Sequence, residues 1–461
     1  MEQERDLMNG KLDLDQLTNL VTTGEIDTII VCMPDMQGRL VGKRVTGAFF
    51  LDSVVEETHA CNYLLTVDMD MEPVPGYKAA SWEKGYGDFT LKPDLATLRR
   101  IPWLPATALV ICDTLDHHGE DIPVSPRAIL KKQLKRLAEK DMMAYMASEL
   151  EFFLFDEPFE SAHEKNYKDL KTASWYIEDY HIFQTSKEEG IMRAIRNGLD
   201  AAGIPVENSK GEWGPGQEEI NVRYAEALDM ADRHVILKNG IKEIAHLHGK
   251  SVTFMAKWNQ KLAGNSCHIH CSLWDKDGKG SVFHDKSDAN GMTPLFKKFI
   301  AGQISASREM SYFLAPGINS YKRFADQSFA PTTAVWSMDN RTAGYRVVGS
   351  GNATRVECRI GGADLNPYLA FAGIIGAGLH GIENDMQLEP EFQGDAYATE
   401  DIRSLPKSLR EALDLLDKSE TMRAAFGDEV IDHYLHTGHW EQAEYDRAVT
   451  DWELTRGFER G

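Results

Sequence analysis

The 461-residue chain is 42% hydrophobic and 26% charged, a globular composition, and is long enough that two domains are expected rather than one core. A formal net charge of −22, from 72 acidic against 50 basic residues, gives a surface that repels phosphate backbones and anionic bilayers, so neither nucleic acid nor a membrane is expected as a partner. The apolar run Ala372–Leu379 is far short of a bilayer span, Met1-Glu-Gln-Glu-Arg-Asp6 is no basic-then-apolar leader, and the six cysteines form no Cys-x-x-Cys pair; a cytoplasmic chain with reduced thiols is expected.

Residues 1–25 read as a polar lead-in with a short helical pattern at Leu12–Val21. From Ile26 strands and turns take over. Thr28–Cys32, a turn at Pro34–Gly38 and Leu40–Val45 make a hairpin, and Tyr63–Val67 and Ala108–Cys112 read as further strands around a Gly-, Pro- and Asp-rich stretch. Residues 26–113 are therefore expected to form a small β-rich domain, with an acidic loop at Asp68-Met-Asp-Met-Glu72.

A second domain, residues 120–461, opens at Ser125-Pro126, an N-cap with proline at the first helical position. Ser186-Lys-Glu-Glu189 reads as a capping box for a helix that Gly203 ends. Further helices are expected near 225–248, 294–312, 367–384 and 405–417. The hairpin Leu273–Phe283 contains Asp275-x-Asp277-Gly278 but lacks the later glutamate of a calcium loop.

Four strands in this domain carry polar residues at every second position against an apolar back. Glu149 and Glu151 share a face in Ser148-Glu-Leu-Glu-Phe-Phe-Leu-Phe155, as do His268, His270 and Ser272 in Cys267–Leu273. Glu219 lies on the front of Gln217–Arg223, after Glu212 and a Gly-Pro-Gly turn, and Arg355, Glu357 and Arg359 alternate with Val356, Cys358 and Ile360. A carboxylate pair alone is explained by a proton or an arginine. Four such fronts built of Glu, His and Arg read as the walls of a cavity for metal and anion. No Gly-x-Gly-x-x-Gly or Walker-type loop occurs, but Arg323, Arg341, Arg346, Arg355 and Arg359 offer guanidinium forks for phosphate and carboxylate oxygens.

With Gly214-Pro-Gly-Gln-Glu-Glu219, Gly264-Asn-Ser-Cys-His-Ile-His-Cys-Ser272, Asn319-Ser-Tyr-Lys-Arg323 and Arg355–Pro367, the chain resembles the glutamine synthetase superfamily over about residues 26–455. The resemblance implies an α+β fold, with a small N-terminal β-grasp domain and a large catalytic domain whose antiparallel sheet forms a funnel flanked by helices. It also implies a homo-dodecamer of two hexameric rings, each site shared between one subunit's catalytic domain and its neighbour's small domain. By position, Glu151, Glu212 and Glu219 would hold one Mg²⁺ or Mn²⁺, and Glu149, His268 and Glu357 a second. Glu207, His270, Ser272, Arg346 and Arg355 match ATP contacts, and Arg341 matches the arginine facing the transferred phosphoryl group. Gly264, Arg323 and Arg359 match the L-glutamate site. The implied chemistry is phosphorylation of the glutamate γ-carboxylate by ATP, then displacement of phosphate by a nitrogen nucleophile.

One departure bears on the nucleophile. Ammonia-using members carry a glutamate just before Ala-Pro in the flap, whereas this chain reads Phe324-Ala-Asp-Gln-Ser-Phe329-Ala-Pro331. Phe329 in that place, with Tyr180 nearby and Asp68 at the ammonium-binding position, resembles the γ-glutamyl amine ligase branch, which takes monoamines or polyamines. An ammonia-using glutamine synthetase is the alternative, and a non-catalytic relative another. The last should have lost metal ligands, and all six are present. Tyr397, in Asp395-Ala-Tyr-Ala398, is outside the usual context of the family's adenylylated tyrosine and reads as an ordinary loop residue.

Overall fold

The computed structural model describes residues 10–325, 328–399 and 402–461; residues 1–9 of the expected lead-in, and Asp326 and Gln327 of the flap, lie outside them. Among the described residues the architecture is α+β, with two sheets. The smaller contains β1 (Thr28–Pro34), β2 (Leu40–Thr46), β3 (Thr58–Cys61), β4 (Asp88–Pro93), β5 (Arg99–Arg100) and β6 (Thr107–Leu115), in the order β2-β1-β6-β4-β3 with β5 beside β6. β1 and β2 form the expected hairpin, closed where Gly38 takes φ +76°. β1 runs parallel to β6, so the sheet is mixed. Tyr63–Val67 is not a strand: the pairing segment lies just before it, in β3, and a 3-10 turn at Asn62–Leu65 then carries Leu65 into the core.

The larger sheet contains β7 (Met142–Phe155), β8 (Val206–Gly211), β9 (Gln217–Val222), β10 (Ala225–Glu226), β11 (Ser251–Thr253), β12 (Cys267–Asp275), β13 (Trp336–Met338), β14 (Tyr345–Val348) and β15 (Arg355–Cys358). Its order is β13-β14-β15-β12-β7-β9-β8, with β10 and β11 also against β7. Every pairing is antiparallel except β13 with β14. Ala144, Met146, Leu150 and Phe152 on the back of β7 are fully buried. Helices Pro126–Ala138 and Ala227–Leu247 cover that face. Behind them the apolar helix Pro367–Glu383 crosses Pro294–Ser305 backbone to backbone, where a Cβ on Gly381 would lie 2.1 Å from the Lys298 carbonyl oxygen. Among the described residues no helix is long and apolar enough to cross a membrane.

Two expected helix boundaries moved. The chain turns between Pro294–Ser305 and Ser311–Leu314 rather than continuing. Ser186 does not cap the helix Glu189–Ala201; its hydroxyl donates back to the Ile182 carbonyl at 2.8 Å, closing a preceding turn, and Glu188 takes the N-cap position.

One continuous apolar core runs behind both sheets. Arg127 stitches them: its buried guanidinium donates to Asp232 at 2.9 and 3.1 Å, to Asp94 beside β4 at 2.6 Å, and to Asp113 of β6. Such a charge is tolerated in the interior because its donors are met by three carboxylates. The long helix Asp428–Arg447 returns to the small sheet, where the His433 ring lies 4.6 Å from that of Tyr77.

Burial holds the pKa of His433 down at about 4, against about 6.5 in an unfolded chain. Between these values the unfolded state binds the proton and the folded state does not, so stability falls as pH drops through that window, by roughly 3 kcal/mol from this group. Buried His234, held down to about 3, adds to the same slope. Denaturant unfolding between pH 7 and pH 4.5 should show the loss, and His433→Gln should make it shallower. An unchanged slope in that variant would mean that other groups carry it.

Candidate active site

Cross-strand register builds the site. Residues directly opposite on antiparallel strands share a face, with Cβ atoms about 5 Å apart. Glu219 of β9 stands opposite Glu151 of β7, Glu149 of β7 opposite His268 of β12, His270 of β12 opposite Glu357 of β15, and Glu357 opposite Arg346 of β14. Lys210 of β8 continues the row beside Glu219. Their neighbours Ile220, Leu150, Ile269, Val356 and Val347 fill the core behind.

Charge along this row is unevenly compensated. Glu357 accepts from Arg359 at 2.5 Å and Arg346 at 3.0 Å; burial opposes its ionisation, but Arg359 and then the histidines hold its pKa down at about 2. Arg355 Nε donates to His270 Nδ1 at 3.0 Å, which leaves Nε2 to donate to Glu149 at 2.8 Å. Burial again opposes ionisation of Glu149, yet His270 and His268, the latter at 3.2 Å, hold it well below the usual carboxylate range. Glu151 and Glu219 have weaker help, from the Ser266 amide and Arg323 for the first and from Lys210 and Asn221 for the second, and burial outweighs it. Burial, then Glu212 and the neighbouring carboxylates, push both up, Glu219 to about 8. Burial and then Arg359 push His268 down to about 4, so the ring is neutral at pH 7, and its Nε2 is buried without a partner.

Ligand atoms of Glu149, His268 and Glu357 lie within 4.8 Å of one another, and so do those of Glu151, Glu219 and His268. A neutral imidazole with an orphaned nitrogen, among carboxylates that cannot all ionise unaided, fits hard divalent cations. Glu212, expected in the second trio, lines the same cavity, but Lys210 engages its carboxylate and His268 stands in the trio instead. Burial would lower the Lys210 ammonium, but Glu212 and Glu219 raise it, so the lysine occupies this acidic corner as a cation.

Two cavities open side by side along the row and share Glu149, Asn208 and Asn221. One, of about 480 Å³, gathers Glu207, His270, Ser272 and Arg355 with the aromatic group Tyr145, Tyr224 and Trp274. Ser272 Oγ accepts from Trp274 Nε1 at 3.0 Å. Arg346, expected with them, faces the other cavity, of about 520 Å³, beside Glu151, Glu212, Glu219, Gly264, Arg341 and Arg359. Tyr180 and Phe329 line its mouth. Phe329 is 50% exposed, with its ring 6.1 Å from Trp213, and the Tyr397 hydroxyl tethers the next residue through the Ala330 carbonyl at 2.9 Å.

Three expected residues line neither of these cavities: Glu357, which is buried within the row itself, Arg323 and Asp68. Arg323 is buried behind Gly264, donating to Ser266 Oγ at 3.1 Å and to the Ile360 carbonyl. A Cβ on Gly264 would come within 2.6 Å of its Cγ, so the two pack only because residue 264 is glycine. Asp68 caps the backbone of Asp70 and Glu72 and accepts from Trp440 Nε1 at 3.3 Å, facing a small cavity between the small sheet and the helix Asp428–Arg447.

Sequence reasoning missed Gln217, Lys210, Trp213 and Asp179. Gln217 was findable, being two residues from Glu219 on the same strand face. Its Nε2 lies 3.1 Å from Glu151 Oε2, 2.9 Å from the Gly264 carbonyl and 3.0 Å from Asn265 Oδ1, while the Ser266 amide donates to the same Glu151 oxygen at 2.7 Å. Ligands oriented in this way lose about 10- to 100-fold in metal affinity when the orienting group is removed. Gln217→Leu should therefore weaken Mn²⁺ binding by that factor in calorimetric titration, with an unchanged circular dichroism spectrum; unaltered affinity would show that the bond does not position Glu151.

Residues 123–457 match the family model of the glutamine synthetase catalytic domain. Gamma-glutamylethanolamide synthetase of Streptomyces coelicolor is 49% identical over 450 residues, covering 97% of this chain and 96% of the relative. The glutamate–isopropylamine ligase of a Pseudomonas species is 37% identical over 451 residues, covering 97% and 98%. A solved GmaS–ADP complex superposes with a TM-score of 0.84 at 26% identity, over 96% of this chain and 99% of that one. Sequence match, fold and the row of Glu and His side chains agree, and the chain belongs to the glutamine synthetase family.

Proposed function

We propose that the chain is an ATP-dependent ligase that joins the γ-carboxylate of L-glutamate to a primary amine, giving a γ-glutamyl amide, ADP and phosphate. The aromatic mouth made by Phe329 and Trp213 carries this reading, and the two relatives named for ethanolamide and isopropylamine products support it. In the first step a γ-carboxylate oxygen attacks the terminal phosphorus of ATP, and ADP leaves. In the second, the amine nitrogen attacks the acyl carbon and phosphate leaves with the bonding pair.

Glu207, His270, Ser272 and Arg355 would receive the nucleotide, with the base against Tyr145, Tyr224 and Trp274 and with Arg346 at the phosphate end. Glu151, Glu212 and Glu219 with His268 between them, and Glu149 with Glu357, would hold two or more Mg²⁺ or Mn²⁺ ions, which when bound neutralise phosphate charge and orient the transfer. Arg341 and Arg359 would face the phosphoryl group and glutamate, with Gly264 giving close backbone approach and Arg323 supporting it from behind. Glu212 and Asp179, joined by Asp68 and Asp70 of a neighbouring subunit, would hold the ammonium form of the amine and take its proton. We place the division of labour at the small unit 26–113 and the catalytic unit 120–461, in a cytoplasmic dodecamer of two hexameric rings. Solvent-facing Trp175, Ile182, Phe183, Trp452 and Phe458 support burial against other subunits. Light scattering should give a twelve-subunit mass, and a fully active monomer would overturn this assembly.

Ammonium is strongly hydrated and gains nothing from an apolar wall, whereas each buried methylene of an alkylamine contributes about 0.8 kcal/mol. Two or three carbons thus favour the amine by on the order of tenfold or more. Glutamate-dependent phosphate release should be faster with ethanolamine, isopropylamine or a polyamine than with equimolar ammonium, and Phe329→Glu should move the preference toward ammonium. Ammonium matching every amine would identify an ammonia-using synthetase instead.

A further inference from the structure

The carboxylate next to Glu219 points the other way. Glu218 of β9 turns to the opposite face of the sheet, where Glu178 of the preceding loop and Glu188 at the start of the helix Glu189–Ala201 meet it. One oxygen from each lies within 4.8 Å of the other two, and all three residues are buried. Three carboxylates in so small a volume require positive charge or protons.

Protein partners supply little of either. The Gly216 amide donates to Glu178 Oε1 at 2.5 Å. Both oxygens of Glu188 and Glu218 Oε1 are buried with no hydrogen-bond partner, and Glu178 has only the Ser174 hydroxyl beside it as a further neutral donor. The neighbouring bases are committed elsewhere. Lys187 donates to Gln184 and lies over the Trp175 ring at 4.5 Å, Arg196 bonds Ser209 and Glu189, and Lys250 bonds Asp156.

We propose that Glu178, Glu188 and Glu218 bind one hard divalent cation, Mg²⁺, Mn²⁺ or Ca²⁺, at a site behind the sheet and separate from the two cavities. The donors are all oxygen, the choice of hard ions, and oxygens within 4.8 Å of one another can share an ion at about 2.0 to 2.6 Å from each. The ion would be a fastener. Glu178 already holds the Gly214-Pro-Gly216 turn through Gly216, and its amide reaches the Glu212 carbonyl at 3.3 Å. The next two residues, Asp179 and Tyr180, line the larger cavity. A cation here joins the segment bearing Asp179 and Tyr180 to the turn bearing Glu212 and Trp213; without it, the three carboxyls stay together only by holding protons.

The test is anomalous diffraction from the full chain, stripped with chelator and crystallised in Mn²⁺, with data above the manganese edge. A peak enclosed by Glu178, Glu188 and Glu218 is expected, in addition to any on the front of the sheet. Absence of that peak while the front sites are filled overturns the proposal and leaves a proton-sharing cluster. In solution, equilibrium dialysis of Glu188→Gln should show one Mn²⁺ fewer per chain than wild type, whereas Glu151→Gln should retain the ion behind the sheet. Equal Mn²⁺ counts in Glu188→Gln and wild type also overturn it. Both readouts are independent of whether an amide is formed.

Discussion

Repulsion among carboxylates on the two central strands of the large sheet is the constraint on which the rest depends. β7 and β9 place Glu149, Glu151, Glu218 and Glu219 within two short segments, and Glu212 stands at the turn before β9. At about 5 Å, even with an effective dielectric near 20, each ionised pair costs on the order of 3 kcal/mol. The fold answers by grading the compensation. At the β15 end Glu357 is held by two arginines, in the middle Glu149 is held by two histidines, and at the β9 end burial and neighbouring carboxylates raise the pKa of both Glu151 and Glu219. Divalent ions gain most at the uncompensated end, while the compensated end keeps its ligands oriented without them.

That charged front is tolerated because the back of the sheet is rigid. Helices Pro126–Ala138 and Ala227–Leu247 lie on it, and the close crossing at Gly302 and Gly381 locks the next layer, since no side chain can enter there without moving backbone. The cavity mouth has a different origin. Asp179, Tyr180, Trp213 and Phe329 all come from loops, so a fixed row of ligands meets an adjustable wall.

The period-two alternation made the front of the large sheet legible before any coordinates, because a strand that buries one face fixes the direction of every second side chain. Cross-strand register is invisible in the same letters: nothing in Gln217–Val222 says that Glu219 meets Glu151 rather than Glu149. Local signals failed where tertiary contacts outweighed them. Ser186 has the spacing of a capping box but closes a different turn, and Tyr63–Val67 has strand composition but follows the strand that pairs. Glu218 was passed over because reading one face of β9 discards the other. Lys210 and Trp213 carry no motif, and their role exists only through Glu212 and Phe329. Asp68 does not join the carboxylate row within one chain, where it accepts from Trp440 Nε1.

Two aromatic residues at the mouth sit in left-handed backbone conformations, Phe329 at φ +58° and Tyr180 at φ +55°. For a bulky L-residue that region costs on the order of 1 kcal/mol and persists only where the surroundings over-determine it. Here the surroundings are identifiable: Trp213 packs on Phe329, and the Lys210 ammonium lies 4.4 Å from the Tyr180 ring. Both strained rings line the same cavity from separate segments, so the strain is offset by what the rings touch rather than by their own loops. Lys210 couples this wall to the ligand row, since the cation that faces Tyr180 also neutralises Glu212. Whatever draws Glu212 away from Lys210 therefore also changes the charge facing Tyr180, and the apolar and acidic halves of the mouth respond together.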